Sequence, residues 1–219
     1  RSLEIDHRIH GTEDHPDAAA PLHQLGIVLH AQGDLAGART FLERALEIQL
    51  KVHGTEGHPD IAASLHELAG LLFAQGNLAD ARTRFEHSLK IQHKVYGTED
   101  HPAAASSLHE LARVLRAQGD LAGARDRFER SLEIKHKVHG TEDHPDIAAS
   151  LHELACVFLA QGDLAGARAR LERSLEIKNK VHGTEEHPDV AASLHELARV
   201  LLAQGDLAGA HTRLERSLQ

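Results

Sequence analysis

Apolar and polar residues alternate along this chain with the period of amphipathic α-helices. From Pro59 onward, apolar side chains follow one another at spacings of four, three and four, which places them on one helical face. These side chains are Ile61, Leu65, Leu68 and Leu72. After the break at Gln75-Gly76-Asn77, a second series comprises Leu78, Ala81, Phe85, Leu89 and Val95. The pattern predicts two helices, with Leu68, Leu72, Ala81 and Leu89 and their equivalents buried.

This two-helix pattern is repeated along the whole chain of 219 residues, with a step of 43 residues. Each copy begins with a His-Pro dipeptide, whose histidines are His15, His58, His101, His144 and His187. We expect one domain over residues 1–219 with an all-α fold of five antiparallel helix pairs. Its repeats are 10–52, 53–95, 96–138, 139–181 and a shorter 182–219, and residues 1–9 match half of a preceding second helix.

Each copy resembles a tetratricopeptide repeat, which carries the pattern W-x2-L-G-x2-Y, then A-x3-F, then P over about 34 residues. The second copy has Leu65-x2-Leu68-Ala69-x2-Leu72 and Ala81-x3-Phe85, and Gly26 supplies the family glycine in the first copy. Leucines replace the aromatic residues, and the closing proline is absent. The long unit with its His-Pro-Asp start is most similar to the kinesin-light-chain subclass. The resemblance implies a right-handed α-solenoid whose first helices line a concave groove.

Two positions vary most between the copies, and both lie on the first helix beside an unchanging histidine. The histidines are His23, His66, His109, His152 and His195. The first variable position holds Ile27, Gly70, Arg113, Cys156 and Arg199, and the second holds His30, Phe73, Arg116, Leu159 and Leu202. Spacings of four and three place these residues on one helical face. The resemblance implies that they form the groove floor, with arginines for carboxylates and apolar side chains for pockets. Alternatively they are drifted surface positions, with Arg113 and Arg199 paired to Glu110 and Glu196.

Composition and charge argue against several classes of function. The formal net charge of −9 and the lack of a basic run argue against nucleic-acid binding. No apolar run is long enough for a membrane span, and the single cysteine indicates a reducing compartment, so we expect a cytoplasmic protein. Potential catalytic side chains recur in copy after copy, which is typical of architecture, so we expect no enzyme. Linkers such as His139–Asp146 carry histidines and carboxylates, but their spacing matches no known zinc module, so we expect no metal and no cofactor.

The sequence therefore favours a scaffold that binds a protein or peptide with acidic and apolar residues in the groove of the first helices. A different class stays open: the chain begins and ends inside equivalent helices, so copies can stack head to tail into a structural array. We also expect lower stability at pH 5 than at pH 7.5, because protonation would place like charges along the row from His23 to His195.

Overall fold

The computed structural model describes residues 15–54, 57–98, 100–184 and 187–218, and this part of the chain contains helices and no strand. The chain divides into two compact units, residues 1–99 and 100–219. A 3-10 turn, Pro16–Ala18, leads into the first unit's helices: α1 (Ala19–Ala31), α2 (Leu35–His53), α3 (Pro59–Ala74) and α4 (Leu78–Tyr96). The second unit contains α5 (Pro102–Ala117), α6 (Leu121–His139), α7 (Pro145–Ala160), α8 (Leu164–His182), α9 (Pro188–Ala203) and α10 (Leu207–Ser217). The half-helix expected over residues 1–9 lies outside the described residues.

The helix ends follow directly from capping residues that recur at the same place in each repeat. The His-Pro histidine precedes each first helix, and in α7 the His144 ring nitrogen accepts a hydrogen bond from the Asp146 N–H at 3.1 Å. Pro145 occupies the first turn, where its missing N–H is not needed. The second helix α6 ends at Gly140, whose φ of 62° lies in the left-handed region that favours glycine. Local sequence thus sets the length of every described helix.

Within each unit, a helix packs on its sequence neighbours and touches the next but one only lightly. In the first unit α1 to α4 pack in succession, and in the second α5 to α10 do the same. The first unit's main core contains Leu42, Ile61, Leu65, Leu68 and Leu71. The all-α fold of paired helices predicted from the sequence is thereby confirmed. No helix among the described residues is both long and apolar enough to cross a bilayer.

The predicted core is confirmed at most positions, and at one position it differs between copies. Leu68, Leu72 and Ala81 are buried, and of the residues equivalent to Leu89, Leu46 and Leu175 are buried whereas Leu89 itself and Leu132 are half-buried. A serine precedes three of these leucines and is fully buried, and its hydroxyl donates to a carbonyl of the paired helix. The hydrogen bonds are Ser88 to Ala62, Ser131 to Ala105 and Ser174 to Ala148, each at 2.7 Å. These hydrogen bonds satisfy the buried hydroxyls, which lets the serines pack against the paired helix.

Candidate ligand-binding groove

The histidine row lies on the first helices, but most of its members are not open groove floor. His23, His66, His109 and His152 are half-buried, and His195 is exposed. In three places the Nδ1 atom faces a fully buried serine hydroxyl of the following first helix. The pairs are His23 with Ser64 at 2.9 Å, His109 with Ser150 at 3.2 Å and His152 with Ser193 at 3.0 Å. These histidines therefore link successive repeats within a unit.

In the second unit a lysine of the intervening second helix completes each link. Lys135 Nζ donates to Ser150 Oγ at 2.8 Å, and Lys178 Nζ donates to Ser193 Oγ at 2.8 Å. Because the ammonium group can only donate, the serine O–H is free to donate to the histidine Nδ1. This assigns the proton of the neutral imidazole to Nε2. Burial lowers the pKa of both lysines below the usual range.

The environment of the four half-buried histidines in the row favours the neutral ring. Burial lowers the pKa of His23, His66 and His152. The effect is largest at His109, where burial, reinforced by the positive charges of Lys135, Arg113 and Arg116, lowers the pKa to about 3. A buried imidazole has no water to solvate a positive charge, and the nearby cations repel it. At neutral pH these rings therefore act as uncharged hydrogen-bonding groups.

The arginines of the two variable positions are paired with glutamates. Arg113 Nη1 contacts Glu110 Oε2 at 2.9 Å, and Arg199 Nη1 contacts Glu196 Oε2 at 2.8 Å, as the alternative interpretation of the sequence expected. Arg116 Nη2 instead reaches Glu153 of α7 at 2.9 Å, so it joins two successive first helices. A guanidinium group carries five N–H donors in a planar fork, a geometry that suits carboxylate partners.

The other variable residues differ in what they offer. Ile27, His30, Phe73 and Leu159 are half-buried, whereas Leu202 is 48% exposed. Gly70 faces open space, since a side-chain Cβ built there meets no atom within 4 Å. Burial raises the pKa of the Cys156 thiol to about 11, so this cysteine stays protonated at neutral pH and is a poor nucleophile.

Each unit contains a concave pocket, and the two pockets occupy the same place in their repeats. Their volumes are about 610 Å³ in the first unit and about 290 Å³ in the second. The first is lined by Ala20, His23, Gln49, Val52, His53 and Asp60, among others. The second is lined by the equivalent Ala149, His152, Lys178, Val181, His182 and Asp189, joined by His109 and Arg113. Each pocket thus lies between two successive first helices and the second helix that connects them, and in the second unit α5 adds a further wall.

The predicted stripe and the observed pockets overlap only in part. Among the predicted residues, His23 lines one pocket, and His109, Arg113 and His152 line the other. The pocket wall contributed by the second helix was not predicted from the sequence. One signal for it was present: Gln49 and Gln92 change to Lys135 and Lys178 while the flanking residues barely change. The substitution exchanges a neutral donor for a charged one in an otherwise copied repeat.

Helix pairs that pack in succession, with pockets between the first helices, define a helical-repeat protein. Models of the tetratricopeptide repeat match residues 19–60, 60–137 and 146–219, so the chain belongs to the tetratricopeptide repeat family. A crystal structure of a kinesin-light-chain-like protein from Podospora anserina, described as having nearly identical TPR-like repeats, is 34% identical. The match covers 93% of this chain and 94% of that chain, with a TM-score of 0.77. The long-unit, kinesin-light-chain-like character expected from the sequence is thereby confirmed.

Two more distant structures share the fold. BtubC (BKLC) from P. vanneervenii is 22% identical with a TM-score of 0.80, over 92% of this chain and 79% of that one. YrrB, described as a TPR protein with an unusual peptide-binding site, is 15% identical with a TM-score of 0.60, over 96% of this chain and 89% of that one. No curated protein sequence matches this chain.

Proposed function

We propose that this protein is an interaction scaffold that binds an extended peptide segment of a partner protein along the first helices of each unit. The observation that carries the proposal is the recurrence of one pocket at equivalent positions of the two units. Tetratricopeptide repeat proteins act generally as protein-interaction scaffolds. YrrB, whose fold this chain shares, is described as having a peptide-binding site. A pocket between helices suits an extended segment, because a side chain of the segment can enter the pocket while its main chain runs along the first helices.

The lining of the second pocket indicates which peptide would fit. Arg113 and Lys178 carry positive charge, His109 and His152 are neutral donors, and Ala149 and Val181 add apolar surface. Glu153 and Asp189 balance these two positive charges, so the positive charge that the lining offers is local to Arg113 and Lys178. We infer that the preferred segment combines a carboxylate with small apolar side chains. Arg113 would bind the carboxylate through a charge-assisted hydrogen bond.

The pocket is tested by filling it. Ala192 lines the pocket and is exposed, so Ala192→Arg should fold and block it, while exposed Ala165→Arg, outside the pocket, is the matched control. Peptides selected from a random library on the wild-type protein should lose at least about tenfold in affinity for Ala192→Arg, or about 1.4 kcal/mol. They should bind Ala165→Arg as well as wild type. Unchanged binding to Ala192→Arg would show that the pocket is not the peptide-binding site.

The arginines are tested separately. Arg113→Ala/Arg116→Ala should weaken selected peptides that contain a carboxylate and spare those without one, as measured by fluorescence anisotropy. If both groups of peptides bind the double variant as tightly as wild type, the arginines have no part in recognition.

The His–Ser pairs superficially suggest catalysis, but binding is the better interpretation. A nucleophilic serine must reach its substrate, whereas Ser150 and Ser193 are fully buried and their Oγ atoms accept from lysines. The same arrangement recurs in successive repeats, which suits a structural role. The unreactive Cys156 thiol suits a reducing compartment such as the cytoplasm.

Self-association is a second candidate, favoured by exposed leucines in the last helix pair. Leu207 is 69% exposed and Leu218 is 87% exposed, whereas Leu175, equivalent to Leu218, is 8% exposed. A second copy that covers these leucines would form a head-to-tail contact. Light scattering after size exclusion should then show a mass that rises above 23.9 kDa with concentration. Leu207→Lys/Leu218→Lys should abolish the rise, and a constant mass for wild type would contradict the candidate.

A further inference from the structure

Among the described residues, three linkers between a second helix and the following first helix each bring two histidines and an aspartate together. The clusters are His53, His58 and Asp60; His139, His144 and Asp146; and His182, His187 and Asp189. In each cluster one potential ligand atom per residue lies within 4.8 Å of the others. The first histidine ends one helix, and the other two residues begin the next. The cluster therefore joins two successive repeats.

The atoms are already near the spacing that a metal ion requires. His139 Nε2 lies 3.3 Å and His144 Nδ1 lies 3.7 Å from Asp146 Oδ2. The corresponding distances are 3.8 and 3.6 Å around Asp60, and 3.9 and 3.8 Å around Asp189. Zinc bonds of about 2.0–2.1 Å in a tetrahedron place neighbouring ligand atoms roughly 3.3 Å apart. The His139–Asp146 distance already has this spacing, and the other histidine–aspartate distances must shorten by about 0.3–0.6 Å to reach it.

The helix cap does not explain the cluster. Only the second histidine is needed for capping, because its Nδ1 accepts the N–H two residues on, as His58 does from Asp60. His101 caps α5 in the same way, accepting from the Ala103 N–H at 3.2 Å. Yet the sequence there carries Tyr96 and Ala103 in place of the first histidine and the aspartate. Those two residues are therefore additions to the cap in the three clusters.

We propose that each of the three clusters binds a divalent transition-metal ion, with zinc the best match, through two imidazoles and one carboxylate. Two nitrogen ligands and an oxygen ligand suit zinc, and water or a ligand carboxylate fills the fourth position. The histidine rings of each cluster are stacked, with centroids 3.4 or 3.5 Å apart and planes within 10° of parallel. Ring nitrogens bind a metal in the ring plane, and the Nδ1 lone pair of the second histidine is engaged by the helix cap. That ring must therefore rotate as the ion enters, and it either gives up its cap hydrogen bond or turns its Nε2 to the ion. The sequence expectation of no metal is replaced by this proposal.

Bound metal would act as a cross-link between repeats. It would tie the end of α2 to the start of α3, α6 to α7, and α8 to α9. His53 and Asp60 also line the first unit's pocket, and His182 and Asp189 line the second unit's. The ion would thus lie at the edge of the proposed peptide site, but its binding is independent of whether a peptide binds there.

The experiment removes the clusters by copying the residues of the linker that lacks one. The variants are His53→Tyr/His139→Tyr/His182→Tyr and, separately, Asp60→Ala/Asp146→Ala/Asp189→Ala. The control removes as many histidines outside the clusters, with replacements that other repeats carry: His30→Leu/His87→Arg/His136→Asn. Tag-free full-length chains are stripped with a chelator and dialysed against zinc, and the bound metal is counted by mass spectrometry. Cobalt(II) absorption then reports the coordination geometry.

We expect both cluster variants to bind three fewer equivalents of zinc than wild type, and the control to lose none. Wild type should show the intense visible bands of tetrahedral cobalt, and its melting temperature should rise with zinc because the ion binds the folded state. The proposal is overturned if the cluster variants retain the wild-type stoichiometry. It is equally overturned if the control loses as much metal, since scattered surface histidines would then account for the binding. Circular dichroism of each variant confirms that it is folded.

Discussion

At the residue scale, the contacts between successive repeats are more polar than the hydrophobic pattern suggests. Serine hydroxyls are fully buried at two positions of the repeat, where Ser150 pairs with His109 and Ser131 with the Ala105 carbonyl. Buried polar groups are tolerated when they are hydrogen-bonded, and these are. Their geometry is specific, so they fix how one repeat sits on the next. They also make that contact sensitive to pH.

Lower pH should destabilise the protein through the buried histidines. The unfolded His109 titrates near 6.5, while burial and its cationic neighbours lower the folded pKa to about 3. At a pH between these two pKa values, the unfolded state binds a proton that the folded state does not bind. The free energy of unfolding therefore falls as the pH drops below about 6.5. From pH 7.5 to 5 this amounts to at most about 2 kcal/mol for His109. His23, His66 and His152 act in the same direction.

Urea unfolding of wild type and His109→Gln at both pH values measures this effect. The glutamine amide can still accept from Ser150 but does not titrate, so the variant should lose less stability between pH 7.5 and 5. The direction agrees with the expectation from the sequence, but the cause is burial of each ring. Identical losses for the two proteins would show that His109 is not responsible.

At the element scale, helix length is controlled by caps. Two glycines illustrate this, because one ends a helix and the other lies inside one. Gly140 terminates α6 with a φ of 62° and needs its left-handed conformation. Gly70 lies inside α3, where a Cβ would meet no atom within 4 Å. The same substitution should therefore have opposite effects at the two positions.

Gly140→Ala should destabilise the protein by about 1 kcal/mol, because an L-residue pays roughly 1–2 kcal/mol in the left-handed region. Gly70→Ala should stabilise it by about 0.5–1 kcal/mol, since alanine loses less backbone freedom in a helix. Chemical denaturation of both variants beside wild type provides the measurement. If both changes have the same sign, backbone conformation does not govern these positions.

At the scale of the whole molecule, stability is distributed over small cores between neighbouring helices. Within each unit a helix contacts mainly its sequence neighbours, so the described helices of a unit share no single central core. Loss of packing should then act locally and spread to adjacent helices. This differs from a globular domain, in which one large cavity weakens the entire fold.

Leu154→Ala should cost about 2–5 kcal/mol, because Leu154 is 1% exposed and its removal leaves a cavity. Leu89→Ala should cost about 1 kcal/mol, since the side chain is only half-buried. Urea denaturation gives both values. Hydrogen exchange should show that Leu154→Ala reduces protection in α6 and α8 as well as α7. A reduction confined to α7 would indicate that neighbouring helices are not coupled.

The sequence by itself determined the features that depend on nearby residues. The 43-residue period, the helix ends at Gly140 and Pro145, and the apolar faces are local, because capping and helical periodicity act over a few residues. They were sufficient for the fold class and the family. The variable residues of the first helices could also be recognised, because near-identical copies reveal where one repeat departs from another.

Only the tertiary structure decided which residues come together across helices. The full burial of Ser88 depends on how its helix packs against the paired helix, whose Ala62 carbonyl accepts its hydroxyl. The His109–Ser150–Lys135 link joins residues from three helices, and the pocket wall at Lys178 comes from a helix that the variable stripe does not include. Such contacts span up to 41 residues of sequence, and no local pattern encodes them. Their geometry is set by packing between repeats.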